Sequence, residues 1–255
     1  MYPTPNTLGA VYCVYEDSGF LAESFYRIYP VVDKVVYLIN KRTWFGKADP
    51  VIISQTLESI GGLNDPDNKI MVIHGNWSDE ATQRNFGLTY LRMIDISWCL
   101  IIDDDELYNT RQLAWAKSQL IPLAQAAYLV PFQLYWKTRE TIVRPKGVPS
   151  LPCFCSTVHG KIHFNENRMI IVHNDTWITL DPNQLIYHHM SYVRSDGGMK
   201  RKLEAFSHAN EIIGDWYQNI WLSQGDLKEV PAPTGHDTWE LMPESESPYH
   251  LEPVQ

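Results

Sequence analysis

The hydrophobic positions of the first hundred residues fall into two alternating patterns. Residues 9–15, Gly-Ala-Val-Tyr-Cys-Val-Tyr, form a short β-branched and aromatic run that ends at Glu16-Asp17-Ser18-Gly19. Phe20, Leu21, Phe25 and Ile28 then recur at helical spacing until Pro30 stops the pattern. Residues 34–40 and 69–73 read as a second and third strand, separated by a helix around Thr56, Leu57 and Ile60 that Gly61-Gly62 closes. Ser78, Asp79 and Glu80 supply an N-cap and an acidic first turn for a helix reaching Met93, and residues 98–102 form a fourth strand. This βαβαβαβ order predicts an α/β fold with a mostly parallel sheet and helices on both faces. Strands that are apolar at nearly every position fit burial on both sides.

The second half changes character. A helix is expected over residues 110–124, followed by strand-like pieces at 127–137, 141–144, 151–158, 168–173 and 176–180, broken by Pro145, Gly147 and Pro149. These pieces predict an antiparallel or mixed extension of the sheet. Leu185-Ile186-Tyr187 reads as a strand that ends at His188-His189, and a charged helix is expected over 197–213. The segment from Pro231 is rich in Pro, Glu and Ser and is expected to hug the surface or be partly disordered. The organisation expected is one domain over residues 1–215 and an extension over 216–255.

Composition narrows the function classes. A chain of 255 residues with 44% hydrophobic and 20% charged residues is long enough to bury a sizeable core. Its net charge of −9 disfavours general binding to phosphate backbones. Nine Trp either fill the core or line a pocket for flat apolar faces. Cys13 and Cys99 lie in apolar runs, and Cys153-Phe154-Cys155 alternates like a strand with the wrong spacing for a zinc knuckle. The absence of a secretory apolar region, and of any apolar run approaching the roughly 20 residues a membrane span needs, leads us to expect a reduced, cytoplasmic protein.

Candidate chemistry concentrates at strand ends, where ligands bind in open α/β sheets. Glu16-Asp17 and Asp103-Asp104-Asp105-Glu106 both fall at such ends. Adjacent carboxylates repel one another unless a cation or strong donors compensate. Mg²⁺ and Mn²⁺ prefer oxygen ligands, so a divalent cation is one compensating partner. If the strand stays extended, Asp103 and Asp105 point one way and Asp104 the other. The plainer reading is a solvated acidic loop or the acidic first turn of a helix.

Taken together, Glu16-Asp17 after the first strand, Trp77-Ser78-Asp79-Glu80 leading into Gln83-Arg84-Asn85-Phe86-Gly87, Trp98 through Glu106, and Tyr187-His188-His189-Met190-Ser191-Tyr192-Val193-Arg194 resemble the GT-A glycosyltransferases of the family 2 type over residues 8–210. The resemblance implies a GT-A (Rossmann-like) mixed, mostly parallel sheet flanked by helices, with a C-terminal helical extension and tail. It implies a metal-dependent transfer of sugar from a nucleotide-sugar donor, a UDP- or GDP-sugar first among them, to an acceptor hydroxyl on a glycan, a lipid or a modified base. Asp103 and Asp105 match the two acidic positions of the DxD motif, which hold the donor ribose and the metal–diphosphate, with Asp104 beside them. Glu16 or Asp17 matches an acidic position near the base, Arg84 and Asn85 match a helix segment facing the donor, and His188 or His189 matches a late ligand to Mn²⁺ or Mg²⁺. The usual late Glu-Asp motif for a catalytic base is missing; Asp175, Asp181 and Glu140 are the candidates.

Rival readings remain. A nucleotidyltransferase would want a glycine-rich basic loop after the first strand, where this chain has Tyr15-Glu16-Asp17-Ser18-Gly19. A viral-type enzyme glycosylating a flipped DNA base shares the chemistry but conflicts with the net charge. A non-catalytic nucleotide-sugar-binding protein would explain the missing base. Lys200-Arg201-Lys202 either lines a solvated helix face or meets phosphate.

Overall fold

The computed structural model describes residues 6–121, 124–147, 150–166, 168–172, 176–205, 208–223 and 227–254. The first half follows the predicted alternation: β1 (Leu8–Val14), α1 (Leu21–Ile28), β2 (Lys34–Asn40), α2 (Pro50–Gly61), β3 (Ile70–Gly75), α3 (Glu80–Met93) and β4 (Trp98–Ile102). Local chemistry sets the helix starts. Asp49 caps α2 by accepting from Val51 N at 2.9 Å, with Pro50 in the first turn, where a missing N–H costs nothing. Asp79, rather than Ser78, caps α3, accepting from Thr82 N at 2.7 Å.

The remaining elements are β5 (Glu106–Tyr108), α4 (Thr110–Gln119), β6 (Ala127–Leu129), β7 (Phe132–Trp136), β8 (Thr138–Pro145), β9 (Cys153–Thr157), β10 (Ile162–Glu166), β11 (Met169–Val172), β12 (Trp177–Thr179), β13 (Tyr187–Tyr192), α5 (Asp196–Ala205), β14 (Glu229–Pro231) and β15 (Thr238–Pro243). Two sheets result. The first runs β12-β6-β9-β4-β1-β2-β3, with β4, β1, β2 and β3 parallel and β9 antiparallel to both β4 and β6. The second runs β14-β15-β8-β7-β13-β5, and β10–β11 is a separate hairpin.

Both faces of β1, β2 and β4 are buried, which explains their near-continuous apolar sequence. Tyr12, Tyr37, Ile39, Leu100 and Ile102 pack on the side of α1 and α4, against Phe25, Ile28 and Leu113. Val11, Val36, Leu38 and Ile101 pack on the other side, against Leu88 and Leu91 of α3 and Phe164 and Ile170 of the hairpin. Each such Leu, Ile or Phe contributes about 1.5–3 kcal/mol by leaving water. The α3–β1 approach is close enough to require glycine: a Cβ on Gly87 would sit 2.6 Å from Val11 Cγ1.

Several boundaries differ from the sequence expectation. The run 127–137 splits into β6 and β7, which belong to different sheets. The strand carrying the two histidines does not stop there; it continues to Tyr192 because β7 and β5 pair with it on either side. The helix expected to reach residue 213 is described as α5 to Ala205, with a 3₁₀ turn at Ala209–Glu211 after it. Residues 227–254 lend β14 and β15 to the second sheet beside β8. Their final segment is pinned to the domain by Asn109, which donates to His250 O at 3.0 Å and accepts from Glu252 N at 2.8 Å. Trp136, Trp216, Trp221 and Trp239 form an aromatic core under that sheet, so four of the tryptophans pack internally. The four cysteines are free thiols, and burial pushes Cys13 and Cys153 up to about 12. Among the described residues no helix is long and apolar enough to cross a membrane.

Candidate functional site

The parallel strands β1, β2 and β4 end on one side of the sheet, and the loops that follow them enclose a cavity of about 430 Å³. Glu16 comes from the first loop, Arg42 and Trp44 from the second, and Asp103, Asp104 and Asp105 from the third. His189 from β13 and Lys202 from α5 complete the opposite wall. The acidic run is therefore the junction between the two sheets: β4 lies in one, and β5, three residues on, lies in the other.

That junction is a turn, closed by Glu106 N donating to Asp103 O at 3.0 Å. Strand alternation stops at Ile102, so the expected division of Asp103 and Asp105 from Asp104 does not hold; all three line the cavity and diverge to separate partners. Asp103 accepts from Arg84 Nη2 at 2.8 Å and lies 3.5 Å from Arg168 Nη1. Asp104 accepts from the backbone N–H of Ser18 at 2.6 Å. Asp105 meets His189 Nε2 at 3.2 Å through one oxygen, and Arg194 Nη2 at 2.8 Å and Lys202 Nζ at 3.0 Å through the other. Glu106, fully buried, takes the fork of Arg168.

Electrostatics follow from these partners. Burial alone raises every one of these carboxyls. At Asp105 the field of Lys202, with His189 and Arg194, overcomes it and holds the carboxyl well below the usual range. Arg84 and Arg168 do the same for Asp103. Burial, reinforced by neighbouring Asp105, wins at Asp104 and pushes it up to about 7, so this carboxyl can hold or release a proton near neutrality. Burial also outweighs Arg168 at Glu106, which is raised. Asp103, Asp105 and Glu106 are thus met by four side-chain cations, Arg84, Arg168, Arg194 and Lys202, while Asp104 accepts from the Ser18 N–H.

The other predicted residues divide clearly. Glu16 lines the cavity and accepts from Arg201 Nε at 2.7 Å. Asp17 instead folds back on its own turn, accepting from Gly19 N at 2.8 Å, where Gly19 has φ of 88°. Arg84 lines the cavity, braced by Glu80 at 2.7 Å. Asn85, the next residue around the helix, faces away and clamps Phe164 of β10 through both backbone groups, at 2.7 Å each. His189 is in the cavity, whereas His188 is on the opposite face of β13, with Nδ1 2.7 Å from Tyr135 Oη. Burial lowers His188 to about 3, so it is a neutral core imidazole. Glu140 is an exposed residue of β8, and Asp181 closes its own turn onto Asn183 N at 2.9 Å; neither lines the cavity. Asp175 lies outside the described residues.

Sequence reading missed Arg168, gave Arg194 no role, and left Lys202 undecided between a solvated face and phosphate. Arg168 stands in a loop between two short strands and has no periodic signal. Lys202 follows Arg201 in a basic triplet whose solvated and ligand-facing positions only the helix register separates.

The divalent ion implied by the resemblance can be tested against this donor set. The Asp105 oxygens already hold His189, Arg194 and Lys202, and those of Asp103 hold Arg84 with Arg168 nearby. A dication on Asp105 would stand beside an ammonium and a guanidinium; at about 5 Å and an effective dielectric near 20, each such pair repels by roughly 7 kcal/mol. Among the described residues no three His, Cys, Asp or Glu side chains converge as a metal site. In this arrangement the residues present do not fit the ion.

No family model matches the chain, and no curated protein matches it. Among solved structures it is similar to S. aureus TarS 1–349 in complex with UDP-GlcNAc, at 13% identity and a TM-score of 0.45 over 80% of this chain and 69% of that one. It is also similar to mannose-1-phosphate geranyltransferase from Thermus thermophilus, at 10% identity and a TM-score of 0.36 over 61% of this chain and 51% of that one. A mycobacterial protein aligns at 14% identity and a TM-score of 0.35 over 52% of this chain, which spans 42% of that chain's length.

Proposed function

We propose that this chain is a glycosyltransferase that moves a sugar from a nucleoside-diphosphate sugar to an acceptor hydroxyl. The observation that carries the proposal is the cavity at the carboxyl ends of β1, β2 and β4, whose lining combines carboxylates and cations and whose volume of about 430 Å³ lies in the range of ligand sites. The carboxylates suit ribose hydroxyls, which donate hydrogen bonds, and the cations suit a diphosphate. Trp44 offers a flat apolar face for the base or sugar, its indole held by a 3.0 Å bond to Gln83. In the reaction, the acceptor oxygen forms a bond to the anomeric carbon, the bond from that carbon to the diphosphate oxygen breaks, the nucleoside diphosphate leaves with the electron pair, and the hydroxyl proton passes to a carboxylate of the cavity or to solvent. Cations fixed around the leaving diphosphate lower the barrier without reorganising. The acceptor class, whether glycan, lipid or modified base, is left to assay.

The test is thermal unfolding against UDP-, GDP-, dTDP- and CMP-sugars. One nucleotide class should stabilise the protein, by about 2.7 kcal/mol when its concentration is a hundredfold above Kd. If no nucleotide sugar shifts the transition, the proposal is wrong.

A further inference from the structure

The cations around the acidic turn are arranged in a way that a metal-dependent donor site would not need. Lys202 and Arg194 reach the same oxygen of Asp105 from α5 and from the loop before it, and both are largely buried. Arg201, one residue before Lys202, reaches Glu16 on the opposite wall, and Lys47 reaches Glu204 on the same helix at 2.9 Å. Helix α5, which also buries Met199 and Leu203, therefore carries three charge pairs across the cavity side, two to the acidic residues of the floor and wall and one to the loop after β2. Further donor capacity faces the cavity unused. Arg42 lines it, is exposed, and has no ion-pair partner among the described residues. Arg84 Nη1 is buried there with no acceptor.

We infer that Arg194 and Lys202, with Arg42 at the mouth, bind the donor diphosphate directly and neutralise it in place of a divalent metal. This rests on the nucleotide-sugar reading above and deepens it by assigning the phosphate subsite. An entering diphosphate exchanges with Asp105: the guanidinium and ammonium turn from carboxylate to phosphate oxygens, which are equivalent charge-assisted acceptors. Asp105 keeps its bond to His189. Arg201 and Glu16 part or remain paired without affecting the subsite. Guanidinium groups suit this task because their planar fork matches phosphate geometry. With Arg42 counted, three positive charges then meet those of Asp105 and the diphosphate, roughly two on the latter.

The experiment is isothermal titration of the wild-type chain with UDP and with GDP, once in EDTA and once in Mn²⁺. The expected result is binding of at least one of them in EDTA, with Kd changed by less than about threefold by Mn²⁺. Lys202→Met and Arg194→Met should each weaken that binding by roughly ten- to a hundredfold in EDTA, the usual worth of a charge-assisted bond. Lys202→Arg should retain most of it. Circular dichroism checks folding, and Lys202→Gln, which keeps a donor towards Asp105 while removing the charge, replaces the methionine variant if that one does not fold. Binding that appears only with Mn²⁺ overturns the inference while leaving the nucleotide-sugar reading intact. Metal-independent binding that neither charge removal weakens also overturns it. Failure of both nucleotides in both buffers counts against the nucleotide reading itself, and the inference falls with it.

Discussion

Replacing Arg168 by Met strips a fully buried carboxyl, Glu106, of its cationic partner. Arg168 Nη2 also donates to Ile101 O at 2.9 Å. With the guanidinium gone, Glu106 would remain in the fold as the neutral acid. Protonating a carboxyl of ordinary pKa near 4.3 at pH 7 costs about 3.7 kcal/mol, and the orphaned Ile101 carbonyl adds about 1 kcal/mol. Burial already raises Glu106 in the wild type, so part of that protonation cost is present before the substitution. The net destabilisation should be about 3–4 kcal/mol, within the range seen when one partner of a buried pair is removed. The sign with pH is fixed. A carboxyl whose folded pKa is raised gives stability that is present at low pH and lost as pH rises, so the deficit should shrink towards pH 5. Urea unfolding at pH 7 and pH 5, followed by tryptophan fluorescence, measures both. Adding Glu106→Gln should recover most of the loss at pH 7. A deficit below about 1 kcal/mol at pH 7, or one that grows on acidification, would refute the reasoning.

Three further outcomes are expected. Gly87→Ala should cost about 1–2 kcal/mol net in urea unfolding, since the clash with Val11 exceeds the helix-propensity gain of about 1 kcal/mol; the loss should fall when Val11→Ala is added. Asp104→Asn should raise Tm relative to wild type at pH 8, where the native carboxyl is charged against its environment, and the difference should shrink to about a third by pH 5 and vanish near pH 4; an equal shift at pH 8 and pH 5 would contradict the raised carboxyl. His188 is depressed to about 3, so its stabilising contribution is present above pH 6.5 and lost as pH falls; between pH 7 and pH 5 this amounts to about 2 kcal/mol, and His188→Gln should lack that part of the acid sensitivity.

How far the sequence reveals this architecture depends on how long each element is and what buries it. β1, β2 and β4 are legible because parallel strands covered on both faces must be apolar throughout. β5 is three residues long and follows directly on the acidic turn, so no periodicity marks it. Pairs of adjacent candidates are where the reading fails, for a geometric reason in each case. Arg84 and Asn85 are about 100° apart on a helix, and only one can face the cavity. His188 and His189 alternate across a strand, with the same consequence. Strand alternation, which would separate Asp103 and Asp105 from Asp104, ends where the chain turns at Asp103. The compensating cations are the least legible: Arg168 and Arg194 come from loops and Lys202 from a helix, remote in sequence from the carboxylates they meet.

The central claim is that this cavity handles a nucleoside-diphosphate sugar. Product analysis tests it most directly: the protein is incubated with UDP- and GDP-sugars, and the released nucleotide and phosphate species are separated and quantified. The account predicts slow release of a nucleoside diphosphate and free sugar from one donor class. Release of pyrophosphate, or no turnover of any donor together with no binding, would contradict it.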